Sequence, residues 1–192
     1  PAETEIELIK SRQIIGDAID KMHLQDYAIP TNILQRILHT EGRMELHKLE
    51  IPWKNFPKKE IGKPWFAVVK DSLTFDVLDH NKKKIFTDCH AGETYKAPYA
   101  GDTVTFSVYK MDVKKGQRFE LFKIDRLDAI EAFKGAFDIQ DRGKKTGVLE
   151  FSYTDIYPDR ATAILNEIAN NYLRQNVERS NIEAQKTLNV LE

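Results

Sequence analysis

A single cysteine, Cys89, stands in 192 residues, so no internal disulfide framework can staple this chain. The count leaves the redox compartment open, because a thiol-poor chain is at ease in either. Long apolar runs are missing too: none approaches the 18 or more residues a spanning helix requires, and the N-terminus lacks the basic and apolar pattern of a signal peptide. The stretch reads as soluble. Nor is there an excess of one charge, since 29 Lys and Arg face 30 Asp and Glu for a net charge of -1. That balance offers no bulk attraction to a phosphate backbone or an anionic leaflet, and it argues against a nucleic-acid partner.

What is present is the material for a core. Hydrophobic residues make up 41% of the sequence and charged residues 31%, as in an ordinary globular chain of one or two domains. At this length roughly 70% of the unfolded surface leaves water on folding, enough for stability without staples. The first residue is Pro1 rather than Met, and residues 181–192 keep a helical pattern with no Gly or Pro stop, so the sequence reads as a piece of a longer polypeptide.

From Thr4 to Leu24 the residues Leu8, Ile15, Ile19 and Met22 recur at helical spacing, with Ser11 in the missing turn, which predicts one helix despite Gly16. Ile33, Leu34, Ile37 and Leu38 predict a second, brief helix between Pro30 and Gly42. The period then changes. Residues 44–51, 65–70, 73–78, 84–88 and 103–109 are rich in Val, Ile, Thr and aromatics and read as strands. Val104, Phe106 and Val108 alternate with Thr103, Thr105 and Ser107, which predicts one face on a core and one toward polar surroundings.

Asp79-His80-Asn81-Lys82 tolerates positive φ and predicts a hairpin, while Pro52, Pro57, Gly62 and Pro64 mark an exposed connection. Residues 119–124 read as a strand, Leu127, Ile130, Ala132 and Phe133 as a short helix, and residues 148–153 as a final strand. After Pro158 comes the longest helix, with a core stripe of Ala161, Ile164, Leu165, Ile168, Tyr172 and Leu173. Beyond Arg174 its apolar positions thin to Val177, Ile182, Leu188 and Leu191. Only its first half can then dock on a body, so the rest is expected to project or to meet another chain. The fold class is α+β, a mixed and mostly antiparallel sheet packed by helices, with a long C-terminal helix extending from it. The chain 1–192 reads as one domain, a body to about residue 173 and an arm over about 174–192.

Several constellations invite chemistry. Gly143-Lys144-Lys145-Thr146-Gly147 is like the end of a phosphate-binding loop, but Asp138 stands where its first Gly belongs and a strand follows instead of a helix, so it reads as a basic turn. Asp88-Cys89-His90 sets a thiol beside an imidazole, yet neighbours on a strand face opposite ways, and His23, His39, His47 and His80 show no ligand spacing. The carboxylates Asp76, Asp79, Asp125, Asp128 and Asp155 are scattered and read as solvated surface. No catalytic, cofactor-binding or metal-binding residue is therefore assigned. Lys82, Lys83 and Lys84 form a cationic tip that could touch an acidic glycan or merely stay hydrated. Trp53 and Trp65 could stack on sugars, but they read better as core lids. On the last helix Asn166, Asn170, Asn171, Asn176, Arg179, Asn181 and Glu183 form either a solvated face or a contact with another protomer.

Three stretches carry a resemblance: EIELIKSRQIIGDAID; RFELFKIDRLDAIEAF followed by GKKTGVLEFSYTD; and ATAILNEIANNYLRQNVERSNIEAQKTLNVLE. Together they resemble the periplasmic domain of polysaccharide co-polymerases, the chain-length determinant (Wzz) superfamily, and within it the branch fused to a bacterial tyrosine autokinase (Wzc-like). The run NYLRQNVERSNIEAQKTL is its most specific part. The resemblance implies an inner-membrane protein with two transmembrane helices outside this stretch, the stretch itself lying in the periplasm. It implies ring-like homo-oligomers that set chain length and support export of capsular polysaccharide or exopolysaccharide. Their partners would be the polymerase, the export machinery and the growing polymer. ATP and Mg would belong to a cytoplasmic kinase domain absent here, and no cofactor to this stretch. On this reading Asn171, Arg174, Gln175, Glu178, Arg179 and Glu183 are candidate protomer contacts, and direct glycan binding by Lys82, Lys83 and Lys84 is the alternative. One departure is Tyr157, where the family commonly has an acid before the helix-opening proline, so Asp155 or Asp159 is expected to serve that helix start.

Overall fold

The computed structural model describes residues 2–37, 42–143, 148–155 and 157–190. The architecture is α+β, and every strand pairing among the described residues is antiparallel. Where the sequence reads as one domain with an arm from about residue 174, the contacts sort the chain into two compact units. One comprises Pro1–Met22 with Arg126–Glu192, the other His23–Asp125.

The helical unit begins with α1 (Ala2–Ile9) and α2 (Arg12–Met22), in place of the single helix that periodicity predicts. Ser11 causes the break. Its Oγ accepts the Ile14 N–H at 3.3 Å, so it caps α2 rather than filling a turn of a continuous helix. After α4 (Arg126–Ala136) come β9 (Phe137–Asp141) and β10 (Leu149–Tyr153), paired as a hairpin, and then α5 (Pro158–Val190). Ile14, Ile15, Ala18 and Ile19 of α2 are buried, as are Ala129 and Ile130 of α4 and Ile164 and Ile168 of α5. Helical spacing supplies each of these stripes. Pro158 opens α5, and Asp155 serves the start: it accepts the Tyr157 N–H at 2.9 Å and takes two hydrogen bonds from Arg160 at 2.8 and 2.9 Å.

The β unit carries two sheets. The first has the order β1 (Asp26–Pro30), β8 (Arg118–Lys123), β3 (Trp65–Val69), β4 (Phe75–Leu78), β5 (Lys84–Cys89). The second has the order β2 (Arg43–Glu50), β7 (Asp102–Asp112), β6 (Thr94–Tyr99). A helix of one turn, α3 (Ile33–Ile37), lies between β1 and β2. Asn32 caps it by accepting the Gln35 N–H at 3.2 Å; Leu38, predicted to extend it, is outside the described residues. Both sheets feed one core, in which Leu49, Val104 and Phe106 meet Trp65, Phe75, Phe119 and Leu121.

Three strands escape the sequence pattern: β1, β6 and β9. In β6 the inward Tyr95, Ala97 and Tyr99 alternate with outward Lys96 and Pro98, and an edge strand tolerates that proline. The two-faced expectation for β7 needs correction, because Thr105 and Ser107 are buried along with Val104, Phe106 and Val108. In register Thr105 sits between Glu50 and Lys96, and Ser107 between Lys48 and Thr94. Longer neighbours overshadow the two small side chains, and Lys48 and Glu50 pair at 3.4 Å. The 79–82 hairpin forms as expected, with Asp79 Oδ1 accepting the Asn81 and Lys83 N–H groups at 2.9 and 2.8 Å. Its positive φ falls on Lys82.

Candidate functional site

The longest element among the described residues, α5, belongs to the helical unit. At 1.5 Å per residue the 33 residues of α5 run about 50 Å. Its first half supplies the core, whereas residues 177–187 are all exposed. Side-chain contacts clasp α5 to the preceding helices: among them, the Tyr172 hydroxyl donates to Glu5, and Lys21 pairs with Glu167 at 2.8 Å. Because the phenolate would face the Glu5 carboxylate, that hydrogen bond first, then burial, raises the Tyr172 pKa.

The six candidate contacts divide. Asn171 is 2% exposed and serves the interior: its Nδ2 donates to the Ile14 carbonyl at 3.3 Å and its Oδ1 accepts from Arg174. Arg174 is thereby engaged, with Glu167 at 3.5 Å as a further partner. Gln175 lines a groove of ≈350 Å³ together with Leu8, Ile14, Tyr172, Ile182 and Lys186. Its Nε2 is shielded from water and has no acceptor among the described residues. Arg179 reaches Asn176 at 2.8 Å and Glu5 at 4.0 Å. Glu178 and Glu183 line the same groove at its exposed side, without a cationic partner among the described residues. The sequence reading did not single out Glu5, Glu167 or Lys21; only the long-range partner of each shows its role.

In the β unit Lys82, Lys83 and Lys84 are exposed at the β4–β5 tip. Lys84 is neutralised by Asp76 at 2.6 Å, which leaves Lys82 and Lys83 as the open charges. Asp76 is buried; burial alone would push its pKa up, but Lys84, the Asp88 N–H and Lys70 outweigh it and hold the pKa below the usual value. Trp65 is fully buried in the core and Trp53 packs edge-on against Phe56, so neither offers an open sugar platform. Burial, then the Asp76, Asp88 and Glu93 carboxylates, push the Cys89 thiol up to about 12, while His90 is exposed on the neighbouring position. The 144–147 part of the glycine and lysine turn lies outside the described residues.

Two histidines that showed no spacing in sequence do meet. The His23 and His47 rings are 4.1 Å apart, brought together because β1 and β2 are neighbours. Burial, then the His47 charge, hold His23 below its ordinary value. No group of three or more metal-ligating side chains forms among the described residues, and no helix there is long and apolar enough to cross a membrane.

No protein-family model matches the chain. It is similar, nearly end to end, to proteins named tyrosine-protein kinases. With the Etk kinase of Escherichia coli O127:H6 it shares 28% identity over 98% of its own length and 25% of the kinase. With the Wzc kinase of Salmonella typhimurium the identity is 28% over 97% of this chain and 26% of the kinase. A Klebsiella pneumoniae protein named for a tyrosine kinase in the cps region shares 28% over 97% of the chain. The chain thus spans about a quarter of the length of the curated relatives it matches.

Proposed function

We propose that this chain is the periplasmic, co-polymerase-type segment of an inner-membrane protein-tyrosine autokinase, acting through assembly and carrying no reactive centre. In the full protein a ring of such segments would fix the geometry around the growing capsular polysaccharide or exopolysaccharide, regulating its chain length and its export with the polymerase and export machinery. ATP and Mg would serve the kinase part alone. The observation that carries the reading is the combination of end-to-end similarity with α5. The chain matches one quarter of proteins named as kinases, and the same chain holds a 33-residue helix whose residues 177–187 are exposed and add nothing to the core.

Mechanistically, modest contacts repeated around a closed ring give stability that a single pair lacks. Glu178, Arg179 and Glu183 on the exposed half of α5 are the side chains placed to make them, whereas Asn171 and Arg174 set the helix on its own unit. Sedimentation of the full-length protein extracted from membranes tests this. A discrete oligomer is expected, reduced by Glu178→Arg with Glu183→Arg, and the polymer made by cells carrying that variant should change in length. Monomers alone would overturn the reading.

Glycan binding at the hairpin tip is a second reading, favoured by the open charges of Lys82 and Lys83. Titration with the parent organism's own acidic polysaccharide, wild type against Lys82→Glu with Lys83→Glu, decides it. Equal binding removes it.

A further inference from the structure

The β unit carries exposed aliphatic side chains at one end that its own core leaves uncovered. On α3 the side chains of Ile33, Leu34 and Ile37 are 67%, 70% and 66% exposed, and Leu73 in the β3–β4 turn is 68% exposed. These belong to one end of the unit. The N–H of Thr31, just before α3, donates to the Arg118 carbonyl at 3.0 Å. Gly42, beyond α3, lies against the Gln117 side chain. The Val69 N–H, at the start of the β3–β4 turn, reaches the Gln117 carbonyl at 2.9 Å. Three loops therefore stand side by side, joined through residues 116–118.

Cations stand at the same end. Arg36 lies on α3 itself, Lys114 and Lys115 on the β7–β8 loop and Arg118 at the start of β8; all four are exposed and none has a carboxylate partner among the described residues. The opposing acids are fewer or occupied. Asp71 accepts the Leu73 and Thr74 N–H groups at 2.8 Å, Glu93 on the β5–β6 loop accepts the Tyr95 hydroxyl at 2.6 Å, and Asp88 is paired with Lys70. Among the described residues at this end, Asp112, the last residue of β7, is the further carboxylate, and Glu41 stands in the sequence between α3 and β2. Exposed aliphatic side chains gathered at one end of a unit mark an interaction surface.

We propose that this end of the β unit docks on an anionic lipid bilayer, with Ile33, Leu34, Ile37 and Leu73 entering the headgroup region and Arg36, Lys114, Lys115 and Arg118 meeting lipid phosphates. Aliphatic side chains two-thirds exposed protrude from their loops, and protrusions penetrate a soft headgroup layer, whereas a protein partner must offer a matching hollow. Membrane-surface elements combine this apolar edge with flanking Lys and Arg. A near-neutral chain overall does not oppose it, because the attraction is local and decays within a Debye length.

Cosedimentation of the 192-residue chain with phosphatidylcholine vesicles containing phosphatidylglycerol, against phosphatidylcholine alone, tests the proposal. Binding is expected to the anionic vesicles and to weaken with salt. Replacing Ile33, Leu34 and Ile37 each by Ser should lower affinity by about tenfold or more. Lys114→Gln and Lys115→Gln should each cost about fivefold. All these residues are exposed, so melting temperatures near that of wild type are the control for folding. Failure of the wild type to bind anionic vesicles, equal binding to both compositions, or unchanged affinity in the serine variant overturns the proposal. So does a serine variant that loses self-association while keeping vesicle binding, since these side chains then make a protein contact. The residues all belong to the β unit, so this outcome is independent of the assembly reading, which rests on α5.

Discussion

The side-chain amide of Asn171 donates to the main-chain carbonyl of Ile14 at 3.3 Å, tying the middle of α5 to α2 across 157 positions of chain. A polar residue buried to 2% exposure is tolerable only because both ends of its amide are used, the other by Arg174. The Ile14 carbonyl keeps its own N–H partner within α2, so the loss is that of the added bond and of Arg174's acceptor. Asn171→Leu should therefore cost about 1–1.5 kcal/mol, the net worth of a hydrogen bond or somewhat more. Glu178→Ala and Glu183→Ala, on the exposed turns, should stay within about 0.5 kcal/mol. Urea unfolding of the three variants measures the contrast. Equal effects would mean that the two halves of α5 do not divide into docking and display as argued.

The His23 and His47 pair predicts a pH dependence. Burial and the neighbouring imidazole depress the His23 pKa; Lys48 and Lys123 act the same way, while Asp26 opposes them. A base whose pKa is lowered on folding prefers its neutral form in the native state. Its contribution is complete above the unfolded value near 6.5 and is lost as pH falls through that value toward the folded one. Thermal melts of the wild type should thus fall across this window, and His47→Gln, which removes the like charge, should flatten that fall. An unchanged slope in the variant would assign the dependence to burial alone.

Gly16 and Arg126 set two small effects against each other. A Cβ at Gly16 would meet the Arg126 guanidinium, which is held by Asp20 through bonds of 2.8 and 2.9 Å at the surface. Alanine in place of glycine inside a helix gains about 0.8–1 kcal/mol. Displacing an exposed ion pair loses about 0.2–1 kcal/mol. Gly16→Ala should consequently fall between a loss of about 0.2 and a gain of about 0.8 kcal/mol, and should gain about 1 kcal/mol when Arg126 is already alanine. A double-mutant cycle reads the difference, and a severe loss in the single variant would show that Arg126 cannot move aside.

How much of this was legible depended on whether a residue's role was local. The strands around Trp65, Val77 and Phe106 announce themselves through β-branched and aromatic runs, and α5 through its period and Pro158. Asp155 was foreseeable as a helix-start acid because its targets lie within five positions. Ser11 was not, since a hydroxyl on a helical face looks neutral until its Oγ is seen to take an N–H. β1 and β6 were hidden by Asp26, Pro30, Lys96 and Pro98, residues that a paired or edge position absorbs. At the candidate surface Asn171 looked like a contact for another protomer because polarity suggests exposure. Its acceptor on α2 lies far away in sequence, and nothing local reports it. Glu178 and Glu183 differ because their exposure needs no partner to explain it.

Cys89 supplies the last prediction. It ends β5 with its side chain in the core, beside Phe75 in register, and burial with three nearby carboxylates raises its pKa to about 12. At pH 8 roughly one thiol in ten thousand is then ionised, and the thiolate is the reactive form. Ellman's reagent should leave the native chain unlabelled over hours and titrate one thiol after denaturation. Because burial is the larger cause, Asp88→Asn should not open the site, even though it removes a charge beside it. A core substitution that loosens packing, such as Phe75→Ala, should expose the thiol to reagent, at a stability cost of about 3–5 kcal/mol. Rapid stoichiometric labelling of the wild type would contradict the burial that excludes this cysteine from nucleophilic chemistry, and the case for a segment without a reactive centre would have to be reopened there.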